Sequence, residues 1–217
     1  MYKTLKKFWL NHSLAIVTFT LFFVFLVGQS VTGFHTYNEQ RTEHHRAEIS
    51  YPVYLASPHF FEAVFENWES EFLQMGMYVI LTVFLFQKGS AESKVPGTHL
   101  PPVGASAKSP WPVRRGGLIL KMYENSLSVA LFALFLASFF LHGVSGSKIA
   151  CEEALAHGSQ CYSALGYMTT SQFWFESFQN WQSEFLAVGS LVVLSIFLRQ
   201  RGSPESKLVE ESNSKTG

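Results

Sequence analysis

The sequence predicts an all-α integral membrane protein: four transmembrane helices arranged as two tandem parallel-repeat helical hairpins forming a bundle. Three observations carry that expectation. They are four long apolar blocks, a one-sided placement of Lys and Arg, and a match of the chain to itself. Of 217 residues, 47% are hydrophobic and 16% aromatic while 15% are charged, well below the roughly 25% charged share of an ordinary soluble domain. All sixteen acidic residues are Glu, and they balance sixteen Lys and Arg. Neither a basic nucleic-acid binder nor a disordered acidic tail is expected from that balance.

The first apolar block runs from Leu14 to Gly28 and continues less strictly to Gly33; the others are Phe72–Phe86, Leu127–Leu141 and Phe185–Leu198. None contains Pro. Each core is shorter than the ~20 residues that cross a ~30 Å hydrocarbon slab, so flanking residues are drawn in. The helices predicted this way cover about 8–33, 58–88, 121–146 and 171–201. A soluble helix keeps one polar face, and no such face runs along Leu14–Val27. Placing the N-terminus, residues 88–121 and the C-terminus on one side gathers thirteen Lys and Arg there, against Arg41, Arg46 and Lys148 on the other. That bias sets both termini in the cytoplasm. A cleaved signal peptide is not expected, because no small-x-small site follows Val27 and the same segment recurs in mid-chain.

Shifted by 113 residues, the chain matches itself across both helices of each half. From Phe60–Lys94 against Phe173–Lys207, 19 of 35 positions are identical. The densest stretch sets Asn67-Trp68-Glu69-Ser70-Glu71-Phe72-Leu73 against Asn180-Trp181-Gln182-Ser183-Glu184-Phe185-Leu186, and each copy ends Gly-Ser-x-Glu-Ser-Lys. Residues 1–94 read as the first repeat unit and 121–207 as the second. Residues 95–120 read as a cytoplasmic Pro/Gly-rich linker, with Pro96, Pro101, Pro102, Pro110 and Pro112, and 208–217 as a polar tail. An even number of spans per unit makes the copies parallel, related by an axis along the membrane normal.

The paired Asn-Trp-x-Ser-Glu-Phe segments are the first candidate site. Counting back ~20 spanning residues from Gln87 and Gln200 sets Trp68 and Trp181 at the outer boundary, with Glu71 and Glu184 just inside. Asn67 shares a helix face with Glu71, and Asn180 with Glu184; Ser70 and Ser183 complete a polar seam. Trp68, Phe72, Trp181 and Phe185 form the adjoining aromatic anchors. In one reading the two acids face each other and bind a cation or relay protons, since ionisable groups at membrane depth point to function. In the other they accept hydrogen bonds that pin each hairpin. Glu62, Glu66, Glu69 and Glu176 read as solvated, outside the hydrocarbon.

Histidine supplies the second candidate. His35 and Glu39 stand at helical spacing, His44 follows, and the offset pairs Glu39 with Glu152 and His44 with His157. A divalent-metal cluster and a solvated polar loop both account for them. No cofactor is predicted beyond that metal. Haem is not expected, because only His142 lies well inside a span. Cys151 and Cys161, the two cysteines, fall in an oxidising outer loop, where a disulfide or two free thiols would fit. Walker, Rossmann, HExxH and G-x-S-x-G signatures are absent.

The runs Phe25–Gln29, Thr32-Gly33, Tyr37-Asn38-Glu39, Phe65–Gln74 and Phe86–Lys94 resemble a bacterial multi-spanning inner-membrane family catalogued only as a domain of unknown function. The likeness covers both repeats, with Gln179 and Gln182 in the second where Glu66 and Glu69 stand in the first. It implies a bacterial inner-membrane location and supplies no activity. The sequence therefore predicts a small non-enzymatic integral membrane protein, an accessory or scaffold subunit. Its partners would be the lipid bilayer and a membrane protein complex or a second copy, not nucleic acid. A cation or proton transporter using Glu71 and Glu184 is one alternative, and an outer-face metal or redox module is another.

Overall fold

The computed structural model describes residues 2–95 and 103–216, with side chains from Lys6 onward. Met1, Gly217 and the linker residues 96–102, including Pro96, Pro101 and Pro102, lie outside the described residues. The described chain is all helical, without strands. Its elements are α1 (Tyr2–Glu43), α2 (Tyr51–Leu55), α3 (Pro58–Phe84), α4 (Trp111–Arg115), α5 (Gly117–Glu124), α6 (Ser126–Ala156), α7 (Ala164–Tyr167) and α8 (Ser171–Phe197). The spans Lys6–Glu43, Ser126–Ala156 and Ser171–Phe197 are long and apolar enough to cross a membrane. α3 falls short of them: its first half carries Glu62, Glu66, Glu69 and Glu71. The apolar stretch Phe72–Phe84 covers only about 20 Å at 1.5 Å per residue.

Several boundaries differ from those predicted. α1 runs on to Glu43, ten residues past Gly33, because Phe34–Glu43 contains no Gly or Pro to stop it. The segment before the third apolar block is a separate helix, α5, that ends where Asn125 leaves the helical region (ψ 7°) and α6 begins. α3 and α8 both stop short of the glutamines, and the chain then turns through Gly89 (φ +86°) and Gly202 (φ +87°), a left-handed backbone that favours glycine.

The chain forms two compact units, residues 1–61 and 62–217, so the division falls inside α3 and not at the predicted linker. In the first unit Asn38 holds the incoming strand of chain at Ile49, donating to its carbonyl (3.0 Å) and accepting from its amide (2.9 Å). Tyr54 is buried and lies against Gly33, where a Cβ would meet its hydroxyl at 2.2 Å. Ser57 accepts from the Phe60 amide at 3.3 Å and caps α3, as N-terminal serines do.

In the second unit the same small devices recur. Tyr167 is buried against Gly146, where a Cβ would lie 2.5 Å from its ring. Thr170 caps α8 by accepting from Phe173 N at 3.3 Å. Ser93 accepts from Gln87 N (3.1 Å) and Ser206 from Gln200 N (2.9 Å). The tail is packed and not a loose polar end. Lys207 Nζ donates to the carbonyls of Gly89 (2.5 Å), Lys215 (3.0 Å), Ser212 and Asn213 (both 3.3 Å). Thr216 Oγ1 accepts from Gly89 N at 2.9 Å. Burial, with Arg199 nearby, pulls the Lys207 ammonium below its usual range.

Many large apolar side chains face outward, among them Leu14, Phe19, Phe25, Leu127, Leu186 and Phe197. An apolar face of that extent on a soluble monomer would drive association; on these helices it suits lipid.

Gly146→Val is expected to destabilise the protein by about 1–3 kcal/mol through overpacking against Tyr167. Gly189→Ala, with nothing within 4 Å of the added Cβ, is expected to be neutral or slightly stabilising. Thermal unfolding of both variants in one detergent checks the contrast.

Candidate functional site

The centre of the second unit is a buried polar cluster on α3, α6 and α8. His142 directly follows the third apolar block, and its side chain is fully buried. Its Nδ1 lies 3.1 Å from Glu69 Oε2 and its Nε2 lies 3.3 Å from Glu176 Oε2. One imidazole thus ties three helices together. Ser177 Oγ donates to Glu69 Oε1 at 2.8 Å, and both residues are fully buried. Tyr167 donates its hydroxyl to Glu176 Oε2 (2.8 Å) and Gln172 donates to Glu176 Oε1 (2.6 Å). Asn180 donates to Glu66 Oε1 at 2.6 Å.

The surroundings are apolar and close. Phe173, fully buried, lies over the imidazole with ring centroids 4.8 Å apart. Tyr167 lies against Gly146, and a Cβ on Gly143 would meet the Met168 side chain at 2.6 Å. The loop that delivers α7 is closed by a disulfide between Cys151 and Cys161, with Cα atoms 4.5 Å apart. Burial, then the Glu176 carboxylate, pushes the Tyr167 phenol above its ordinary range, so it stays a donor. Among the described residues, the group of metal-type side chains close enough to share an ion is Glu62, His142 and Glu176, with ligand atoms within 4.8 Å of one another.

The residues singled out from the sequence are distributed differently. Asn67 is exposed and donates to the Ala63 carbonyl of its own helix at 2.7 Å; Ser70 is buried and donates to Asn67 O at 2.8 Å. Ser183 makes the same bond to Asn180 O at 2.8 Å but is exposed. Glu71 is exposed and Glu184 half-buried, near enough for Glu184 to act on Glu71 by charge repulsion. Trp181 sits within a ring of Phe135, Phe139, Trp174 and Phe178, while Trp68 stacks edge-on to Phe65. Phe72 is half-buried and Phe185 more exposed. His35, Glu39, His44 and His157 are all exposed.

The reading of Glu62, Glu66, Glu69 and Glu176 as solvated is corrected for Glu69, which has no exposure at all, and for the other three, which are half-buried. Helical counting placed them outside the apolar cores. It could not show that α7 and Phe173 fold over that level and exclude water. A signal was nevertheless present in the internal match. At the offset of 113, Glu69 faces Gln182, His142 faces Gln29, Glu176 faces Ala63, Glu62 faces Phe175 and Glu66 faces Gln179. Every Glu and His of the cluster stands where the two halves differ, whereas Tyr167 faces Tyr54.

Apolar helices of spanning length around a buried His–Glu cluster define an all-helical protein of membrane type. The chain belongs to the family described as a domain of unknown function (DUF6766), which matches residues 5–217. No curated protein and no solved structure matches it.

Ser177→Ala leaves a buried Glu69 oxygen without its donor and is expected to cost about 1–3 kcal/mol. Ser183→Ala, which loses only an exposed bond to its own helix, is expected to stay within about 0.5 kcal/mol of wild type. Thermal unfolding of the two variants tests whether the cluster holds the second unit together.

Proposed function

We propose that this chain is a small, non-enzymatic cation-binding protein of the bacterial inner membrane. In this reading it has four spans, built as two tandem helical hairpins, with both termini cytoplasmic. The carrying observation is the imidazole of His142 clasped between the carboxylates of Glu69 and Glu176. Glu62, Glu66, Glu69 and Glu176 surround that one ring, and among the described residues the ion pairs of the cluster are those of His142 itself. Buried like charges are costly unless compensated, so a site of this composition gains from a bound cation. The four-span and repeat readings are supported by the sequence match and by coincident local geometry. α3 and α8 have the same length, and Ser57 and Thr170 cap them at equivalent positions. The Lys and Arg bias supports the orientation.

A ligand held at a hundredfold its dissociation constant stabilises by about 2.7 kcal/mol, worth about 5–10 °C in a chain of this length. Screening protons, alkali and divalent cations in mild detergent is expected to find one that raises Tm by that order in wild type, with the rise lost in Glu69→Gln. A flat response across every cation would reject the reading.

A second reading, transport past Glu71 and Glu184, is favoured by the proximity that lets their charges interact. The double variant Glu71→Gln with Glu184→Gln is expected to fold normally and abolish cation flux in liposomes if that pair is the path. Unchanged flux, or no flux in wild type, discards it.

A further inference from the structure

The chemical class of the cation can be inferred from the same cluster, an inference that rests on the cation reading and fails by a different outcome. We propose that Glu62, His142 Nε2 and Glu176 bind one divalent transition-metal ion, zinc fitting best. Glu69 and Ser177 would orient the ring from behind, and Tyr167 and Gln172 would orient Glu176.

The argument begins with the ring's two nitrogens. Ser177 donates to Glu69 Oε1, so Glu69 is an acceptor and its Oε2 takes the Nδ1 proton of His142 across 3.1 Å. A neutral imidazole then presents a lone pair at Nε2. That lone pair faces Glu176 Oε2 at 3.3 Å, an oxygen already accepting the Tyr167 hydroxyl. Two acceptors in that arrangement require a positive charge shared between them. The separation is also longer than the usual 2.7–3.2 Å range for an N–H···O bond. It equals the edge of a tetrahedron about an ion with ligand bonds of about 2.0–2.1 Å, which comes to roughly 3.3–3.4 Å.

A proton on Nε2 would satisfy Glu176 alone. It would leave unexplained why the Glu62 carboxylate stands within 4.8 Å of both ligand atoms when the clasp itself is built without it. A metal uses all three. Imidazole with two carboxylates is a donor set for zinc, iron or manganese and not for the alkali cations. The surrounding bonds have the form that metal sites use to fix their ligands: a carboxylate behind the histidine, and donors behind the ligating carboxylate. Phe173 closes one side of the ring, while Glu176 remains 18% exposed and leaves an entry for the ion.

The test uses the full chain in mild detergent, stripped with chelator and titrated with zinc chloride, with cobalt(II) as a spectroscopic substitute. One ion per chain is expected, with the visible cobalt absorption of a four-coordinate site. Glu62→Gln should lose at least tenfold in affinity, and because Glu62 is outside the clasp the variant should fold as wild type. Glu69→Gln, acting through the ring's orientation, should lose about 10–100-fold and shift the cobalt spectrum. Equal zinc affinity in wild type and Glu62→Gln would assign any binding to exposed histidines such as His44 and overturn the proposal. Stabilisation by protons or sodium with no stoichiometric divalent ion would overturn the metal while leaving a cation site. Absence of any cation effect would remove both.

Discussion

The contact between His142 and two carboxylates on different helices is the constraint from which the second unit is organised. Apolar packing can slide by a fraction of a turn at modest cost; a buried imidazole with both nitrogens engaged cannot. Glu69 on α3, His142 on α6 and Glu176 on α8 must each face inward at one depth. That requirement fixes the rotation and register of all three helices. Ser177, Tyr167, Gln172 and Asn180 then keep the carboxylates of Glu69, Glu176 and Glu66 supplied with donors, as burial of such groups demands.

The internal match separates scaffold from chemistry. Positions that agree at the offset of 113 include ones that start and end helices or permit close approach. They include Gly33 and Gly146 under their tyrosines, Phe60 and Phe173 beside the caps, and the terminal Gly-Ser-x-Glu-Ser-Lys runs. Even there context intervenes: Lys94 is exposed, whereas Lys207 is enclosed by carbonyls because the tail folds over it. Positions that disagree include every Glu and the one His of the cluster. In the unit of residues 1–61 aromatic contacts such as Phe34 with Tyr51 and Tyr54 occur.

Much of the fold was legible in the sequence because its signals are local. The helical class follows from apolar runs without Pro, and the starts of α3 and α8 follow from Ser57 and Ser171, although the cap of α8 is Thr170, one residue earlier. The ends were less legible. α1 continues through Phe34–Glu43, held by Asn38 at Ile49 and by Phe34 against Tyr51 and Tyr54, where hydropathy gives no reason to extend it. The α5–α6 break at Asn125 is also invisible to hydropathy. The sequence singles out Glu71 and Glu184, whereas the fully buried carboxylate is Glu69. Glu71 and Glu184 stand out because the halves share them, and they are exposed and half-buried respectively. Glu69, two positions earlier, turns the opposite way. Which face is buried depends on α7, whose covering role is a long-range matter that spacing does not encode.

That cover explains how so acidic a centre can persist near one end of apolar helices. Ionised carboxylates deep in hydrocarbon would be prohibitive, and the same groups in open water would have no reason to gather. The cluster avoids both. It stands where the apolar run of α6 ends at Leu141, and it is enclosed by Tyr167, Met168 and Phe173. The Cys151–Cys161 bridge restrains the loop that carries α7, and the packing of Tyr167 and Met168 on Gly146 and Gly143 holds the cover down. Protein, not lipid, therefore sets the dielectric at His142. Inside that enclosure each hydrogen bond and each charge interaction is stronger than at a surface, which is the condition under which three ligating side chains can select one small cation over bulk water.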